Sequence, residues 1–444
     1  MSSPRTIDIQ SLINNQRFSP IQWLVLVLCF LVVAIDGFDT AAIGYIAPAL
    51  VHDWGVERPA LGPVLSAALF GLAIGSLCAG PLADRIGRKL VLVLSVLFFG
   101  SWSLATAAAD SIQSLTILRF LTGLGLGAAM SNALTLMSEY APERRRSVLV
   151  NTVFCGFPLG AALGGLLTAW LIPQLGWRGV LAIGGLMPLV LALLLIFLLP
   201  ESVRYMAMRG RPVEKIRRTI AYVTQSRFDD MTAFTFSEHK PADGRSAIGI
   251  ILSRHYLLGS VMLWVTYFMG LLIFYLLTSW MPLLMKDAGL STSKAAILTA
   301  LFPLGGGISA ILAGWLMDYV NPHKVVAATY LLTALLIFGI GQGGTNLELL
   351  SMLIFLAGAA MNTAQSSMGS LAADLYPTHC RATGVAWMLG FGRFGGISGA
   401  LIGAEFMHWH LSFANFFTLL AIPALIAALA LIIKNMNDAK ALSR

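Results

Sequence analysis

The chain of 444 residues is 57% hydrophobic and only 11% charged, against about 25% charged residues in a soluble globular chain, which excludes an aqueous domain. Its apolar stretches run about 20 residues, the length of helix that crosses a hydrocarbon core of roughly 30 Å, so helices are favoured over a β-barrel. The formal net charge of +8 is accounted for by loop topology and attraction to anionic lipid, and calls for no nucleic-acid partner.

Twelve spans are predicted, an all-α membrane fold. A cytoplasmic N-terminal segment, 1–20, precedes spans at 21–46, 60–82, 89–109, 114–138, 147–172 and 178–199, which make an N-terminal six-helix bundle over 21–199. The polar segment 200–256, with Arg209-Gly-Arg-Pro-Val-Glu-Lys-Ile-Arg-Arg218, reads as a charged central loop with one short surface helix. Spans at 257–284, 292–317, 325–344, 347–374, 382–405 and 412–433 form a C-terminal bundle over 257–433, followed by a tail at 434–444. The first span is long, contains two acids and is followed by eleven more, unlike a secretory signal. With the N-terminus inside, 23 of the 29 Lys and Arg fall in inner segments; Arg58, Arg178, Lys286 and Lys294 fall outside, and Arg119 and Arg393 within spans. That asymmetry places both termini in the cytoplasm. Cys29, Cys78, Cys155 and Cys380 lie in spans or at a cytoplasmic end, where a disulfide framework is not expected.

Span one holds Asp36 and Asp39 among Leu, Val, Ile and Ala. A centrally placed acid costs about 2.5–3.5 kcal/mol on insertion scales, so such residues usually face a cavity and serve chemistry or transport. The i, i+3 spacing puts both on one helix face. Low-dielectric surroundings favour the neutral form of a carboxylic acid and neighbouring acids titrate together, which suits a proton carrier. The plainer alternative is hydrogen bonding between helices, which Ser or Asn would do at less cost.

Asp36 lies 15 residues from the inner end of span one, roughly 22 Å at 1.5 Å per residue. Arg119, five to seven residues from the outer end of span four, reaches a similar depth and is the expected partner of the Asp pair, as a coupling element or as a static ion pair. Ile354 occupies its equivalent in span ten. Arg393, in span eleven, sits close to midplane, and its planar guanidinium suits an organic acid; the alternative is satisfaction by carbonyls at a helix crossing. Substrate-lining candidates are Trp264 and Tyr267 of the aromatic span seven, which also carries Phe268, Tyr275 and Trp280, together with Asn362, Gln365 and Ser366, a polar i, i+3, i+4 face on span ten fit to bond a ring hydroxyl. An aromatic stripe in a membrane helix also serves packing or the interfacial belt.

The halves repeat. Glu139-Tyr-Ala-Pro-Glu-Arg-Arg-Arg146 ends span four and Asp374-Leu-Tyr-Pro-Thr-His-Cys-Arg381 ends span ten, 235 positions later, and the same offset relates Gly123 to Gly358, Gly160 to Gly395 and Gly164 to Gly399. Duplication of a six-helix unit is how many carriers place a site at the interface of their halves. Glycines at every fourth position in spans five and eleven allow close helix approach.

Gly80-Pro-Leu-Ala-Asp-Arg-Ile-Gly-Arg-Lys89 resembles the signature loop of the major facilitator superfamily, and Arg119-Phe-Leu-Thr-Gly-Leu-Gly-Leu-Gly127 its span-four motif. Asp36-Gly-Phe-Asp39, Pro200-Glu-Ser202, Arg381-Ala-Thr-Gly384 and Gly392-Arg-Phe-Gly395 resemble the aromatic acid:proton symporter family, hydroxybenzoate and protocatechuate carriers among them. The resemblance implies two pseudo-symmetric six-helix bundles that import an aromatic carboxylate with H+ by alternating access. It also implies a multi-pass protein of the bacterial cytoplasmic (inner) membrane, acting as a monomer in the lipid bilayer, driven by the proton gradient with no cofactor or metal. In this reading Asp36, Asp39 and Arg119 couple the proton, and Arg393, Asn362, Gln365, Tyr267 and Trp264 bind substrate. Gly80, Asp84, Gly87, Arg88, Glu139, Asp318, His323, Asp374 and Arg381 form the gates, with Arg146 a further lock residue. Asp84 holds either Arg88 or, as the resemblance suggests, the N-terminal end of span eleven; solvated surface charge is the alternative for the locks.

A membrane-embedded enzyme fits less well. All seven histidines lie in loops or at span ends, the two acids share one helix where an intramembrane aspartyl protease needs two, and no Walker loop is present. A channel would not need duplicated gate loops. The nearer rivals are a symporter of a non-aromatic acid such as muconate and a drug/proton antiporter.

Overall fold

The computed structural model describes residues 6–224, 233–235, 247–319, 322–343, 346–376 and 378–442, by backbone alone at 6, 7, 233–235, 247, 310–319, 373, 378, 379, 382 and 438–442. A short helix, α1 (Ile9–Asn15), leads into α2 (Pro20–Trp54), α3 (Gly62–Ile86), α4 (Arg88–Thr106), α5 (Ile112–Tyr140) and α6 (Arg146–Leu198). Three short helices follow, α7 (Val203–Met208), α8 (Val213–Thr224) and α9 (Ala247–Ile251). The second half comprises α10 (Leu257–Asp287), α11 (Thr292–Tyr319), α12 (Pro322–Gln342), α13 (Leu347–Leu375), α14 (Thr378–His408) and α15 (Phe413–Leu442). One two-stranded parallel ladder joins β1 (Thr6–Asp8) to β2 (Ala233–Thr235).

Helix α6 contains two crossings. Gly176, with φ 65 and ψ −176, interrupts its helical geometry, a conformation that costs a Cβ-bearing residue far more than glycine; counting its arms separately gives twelve membrane-crossing helices in two sets of six. Local chemistry fixes several ends. Ser19 caps α2 in a reciprocal box with Gln22, Ser111 and Ser114 do the same for α5, and Asn346 caps α13.

The glycine repeat becomes geometry. A Cβ on Gly160 would sit 1.8 Å from the Ala34 carbonyl oxygen, and one on Gly395 would sit 2.1 Å from that of Phe268, so α2 meets α6 as α10 meets α14. Gly123 meets the Ala68 carbonyl as Gly358 meets that of Phe302, pairing α3 with α5 and α11 with α13. Such contacts let backbones approach where lipid gives no hydrophobic drive for association. Large apolar side chains left on the outside, Leu77, Phe197 and Leu335 among them, are matched to a lipid solvent.

The two bundles touch on the side opposite the termini. There Arg58 pairs with Asp287 at 2.6 Å, and a Cβ on Gly62 would touch Ala404. Towards the side of the termini, Gly80, Gly369 and Gly390 have nothing within 4 Å of a built Cβ.

Among its described residues the segment between the bundles holds three short helices where one was expected. Helix α8 buries Ile216, Ile220 and Val223, spaced i, i+4, i+7 along one face, and the Val223 carbonyl accepts the Ser19 hydroxyl at 2.5 Å. That face docks the segment against the start of α2.

Candidate functional site

Asp36 and Asp39 are both fully buried in α2, as is Arg119 in α5. Arg119 selects Asp39. Its Nη1 donates to Asp39 Oδ2 at 2.8 Å and its Nη2 to the Asp39 main-chain carbonyl at 3.1 Å. The other carboxylate oxygen of Asp39 accepts the Ser103 hydroxyl from α4, so both Asp39 oxygens are met, while Arg119 Nε is buried with no hydrogen-bond partner among the described residues. Asp36 is held differently: Thr40 donates to Oδ1 at 3.2 Å, while Oδ2 is buried with no hydrogen-bond partner among the described residues. Arg393 lies within electrostatic reach of Asp36.

A cavity of about 130 Å³ lies between the bundles, and Tyr267, Tyr275, Asn362, Gln365 and Arg393 are among the residues that line it. Its wall is otherwise apolar and rich in rings, with Phe154 and Phe157 from α6 and Phe274 from α10. Both halves therefore contribute to one chamber, the polar groups coming mainly from the second. Arg393 reaches across the interface, donating from Nη1 to the Leu72 carbonyl at 2.8 Å and to the Ser76 hydroxyl on α3. The glycines flanking Arg393 are filled rather than open. Gly392 makes room for the Tyr267 ring, Gly396 for Tyr275 and Gly395 for the Phe268 carbonyl.

Four of the five residues expected at a substrate site thus share the cavity, and Trp264 stands apart from its lining. Its ring stacks on Trp387 at 5.8 Å and lies 5.8 Å from Phe391, an aromatic packing role. Trp280, in the same helix, donates to the Ala400 carbonyl at 2.9 Å and packs between helices. Sequence reasoning did not single out Ser103, Ser76, Phe157 or Phe274. The two serines carried a usable signal, since hydroxyls in an apolar span need an acceptor.

The gate residues divide. Gly87 joins α3 to α4 at φ 113, and a Cβ there would lie 2.4 Å from Glu201 Oε2. Asp84 pairs with Arg88 at 2.6 Å, one of the two partners expected for it. Arg88 also reaches Glu139 at 3.4 Å, and Glu139 accepts the Ser202 hydroxyl. Glu201 Oε1 accepts from the Lys89 and Ser202 amides at 3.0 and 2.8 Å, so Pro200-Glu-Ser202 clasps the loop at 84–89. Arg146, expected to share a lock with Glu139, has a buried Nε without a partner among the described residues. Asp374 and Arg381 are exposed and form no ion pair with each other among the described residues. His323 Nε2 lies 2.6 Å from Lys434 Nζ. Gly80 faces open space, and the Asp318 side chain lies outside the described residues.

Two repeated six-helix bundles around a central chamber, with a buried ion pair beside it, define a membrane carrier fold. The chain belongs to the Major Facilitator Superfamily, whose family model matches residues 29–340 and 263–443. It is 51% identical over 430 residues to the 4-hydroxybenzoate transporter PcaK of Pseudomonas aeruginosa, covering 97% of this chain and 96% of that protein. It is 48% identical over 426 residues to a gallate transporter of Pseudomonas putida, covering 96% and 94%. Both relatives are transporters rather than enzymes. Among solved structures it resembles the inward-open xylose transporter XylE from E. coli, with a TM-score of 0.72 over 92% of this chain and 95% of that one at 18% identity, a likeness of fold.

Proposed function

We propose that this protein is a proton-coupled symporter that imports aromatic carboxylates by alternating access. The observation that carries the reading is the central chamber itself, where Arg393 is the cation among ring-bearing walls and the Asn362 and Gln365 amides stand on a neighbouring helix. A guanidinium can hold a carboxylate through two parallel hydrogen bonds, the rings supply flat apolar contact, and the amides meet polar ring substituents. The named substrates of the relatives, 4-hydroxybenzoate and gallate, have this chemistry.

Proton coupling is assigned to α2 and α5. Asp39 is already neutralised by Arg119, whereas Asp36 keeps an unmet carboxylate oxygen beside the chamber, which makes Asp36 the group that gains and loses the proton. Protonation removes a charge that would otherwise compete with substrate for Arg393. With the basic segments in the cytoplasm, the chamber faces inward, and the Asp84–Arg88–Glu139–Ser202 cluster belongs to the inner gate. The reading places the protein in the bacterial cytoplasmic membrane, both termini inside and working as a monomer, with H+ and a small aromatic acid as its partners and no cofactor.

Uptake by proteoliposomes under an imposed pH gradient, inside alkaline, tests this. Accumulation of labelled 4-hydroxybenzoate, protocatechuate or gallate that collapses with a protonophore is expected. Accumulation unaffected by the protonophore, or accumulation of muconate but of none of the aromatic acids, would overturn it.

A further inference from the structure

Gln365 and Asn362 stand one turn apart on α13, and each has part of its side-chain amide already committed. Tyr330, fully buried in α12, donates its hydroxyl to Gln365 Oε1 at 2.7 Å. The same oxygen lies against the backbone of Gly270, where a built Cβ would be 1.9 Å away. The acceptor end of Gln365 is therefore turned into the protein. Its amide nitrogen donates to the Tyr267 carbonyl at 3.4 Å, which uses one of its two hydrogens and leaves the other.

Asn362 is committed in the opposite sense. Its Nδ2 donates to the Gly306 carbonyl at 2.6 Å, and Oδ1 has no partner among the described residues. Gly306 permits that approach, since a Cβ on it would lie 2.9 Å from the Asn362 Cβ. Both residues line the chamber. One offers it a free acceptor, the other a free N–H.

We infer that Asn362 and Gln365 form a socket for a neutral ring hydroxyl, which donates to Asn362 Oδ1 and accepts from Gln365 Nε2, and that Tyr330 is the positioning residue that sets this polarity. The inference rests on the aromatic-carboxylate reading and deepens it. A hydroxyl is both donor and acceptor and satisfies both amides at once. A hydrogen in its place leaves two buried polar groups unmet, the kind of mismatch by which a site discriminates strongly. A methoxy group, which has no O–H to donate, satisfies Gln365 alone. Tyr330 lies outside the lining and touches the ligand only through Gln365.

Calorimetric binding of 3-hydroxybenzoate, 4-hydroxybenzoate and benzoate to the full-length protein in detergent tests the socket. At least one hydroxylated acid should bind more tightly than benzoate. Tyr330→Phe, which removes only the hydroxyl that orients Gln365, should weaken that acid about five- to tenfold and leave benzoate within about twofold. Gly270→Ala offers a second route to the same result, because its new methyl displaces the end of a flexible side chain. If Tyr330→Phe does not insert, Gly270→Ala carries the test alone. Equal weakening of benzoate and the hydroxylated acid, or wild-type protein that binds benzoate as tightly as either, would overturn the socket. Binding of none of the three acids would instead overturn the aromatic-carboxylate reading beneath it.

Discussion

Arg119 holds Asp39 through its carboxylate at 2.8 Å and its main-chain carbonyl at 3.1 Å, and so ties the middle of α2 to α5. The second contact matters because it does not depend on the carboxylate's charge. Asp36, one turn earlier, is left with Thr40 on one oxygen and no described partner on the other. Two acids that look equivalent as a spacing have unequal positions, one held by Arg119 and Ser103, the other with an unmet carboxylate oxygen, and in the function proposed above it is the second that exchanges the proton.

The two should therefore fail differently. Asp36→Asn is expected to insert and fold normally, to retain counterflow exchange at equal pH and to lose uphill accumulation. Asp39→Asn leaves Arg119 as a buried uncompensated cation, a change that costs about 3–5 kcal/mol, so lower thermal stability and loss of both counterflow and accumulation are expected. Counterflow and thermal unfolding of the two variants, measured side by side in proteoliposomes and detergent, separate the roles. Identical behaviour would remove the distinction.

Arg393 supplies the second expectation. It now spends hydrogen bonds on the Leu72 carbonyl and the Ser76 hydroxyl, which a substrate carboxylate displaces in the function proposed above. Arg393→Lys should raise the half-saturation concentration by roughly tenfold, because an ammonium cannot reproduce the two-pronged grip, and Arg393→Ala should raise it further. Ser76→Ala should act the other way, lowering it modestly by removing a competitor. Initial uptake rates against substrate concentration give all three, and an unchanged value in Arg393→Ala would return this residue to a packing role.

How much of this was legible depended on whether a residue's partner was dictated by its own span. Asp36, Asp39, Arg119 and Arg393 are costly enough in lipid that the sequence marks them regardless of fold, and the Asn362–Gln365 face is set by helical spacing alone. Trp264 was misleading because α10 is aromatic on more than one side; Tyr267 and Tyr275 turn to the chamber while Trp264 turns to Trp387. Ser103 and Tyr330 depend on which helices become neighbours, information that no single span carries. The same holds for Glu139. Sequence proximity favours Arg146, but packing of α4 beside the end of α5 delivers Arg88, and the turn between α6 and α7 delivers Ser202.

Gly87 gives a prediction about stability. Its φ of 113 is costly for any other residue, by about 1–3 kcal/mol, and a methyl there would also collide with Glu201. Gly87→Ala should lower the melting temperature and loosen the clasp that Glu201 makes on the Lys89 and Ser202 amides. Glu201→Gln, which retains both acceptor geometries with less charge, should destabilise less. Thermal unfolding in detergent ranks the pair, and a Gly87→Ala variant as stable as the parent would show the turn to be unstrained.

Gly80 makes the contrasting case, since it sits in a helix with nothing within 4 Å of a built Cβ. In this conformation Gly80→Ala should be neutral or slightly stabilising, given a helix preference of about 1 kcal/mol for Ala over Gly. Alternating access requires the termini-side ends of the bundles to close in the other half of the cycle, and the open flank of Gly80 lies on that side. Gly80→Leu is therefore expected to fold well, to bind substrate with little change and to be trapped with its chamber facing the termini side. In a background lacking Cys29, Cys78, Cys155 and Cys380, a reporter cysteine introduced on the chamber wall should then label readily with an impermeant thiol reagent from the termini side, while transport falls by at least tenfold. Wild-type transport by Gly80→Leu, with unchanged labelling, would show that this face of α3 stays clear of the second bundle throughout the cycle.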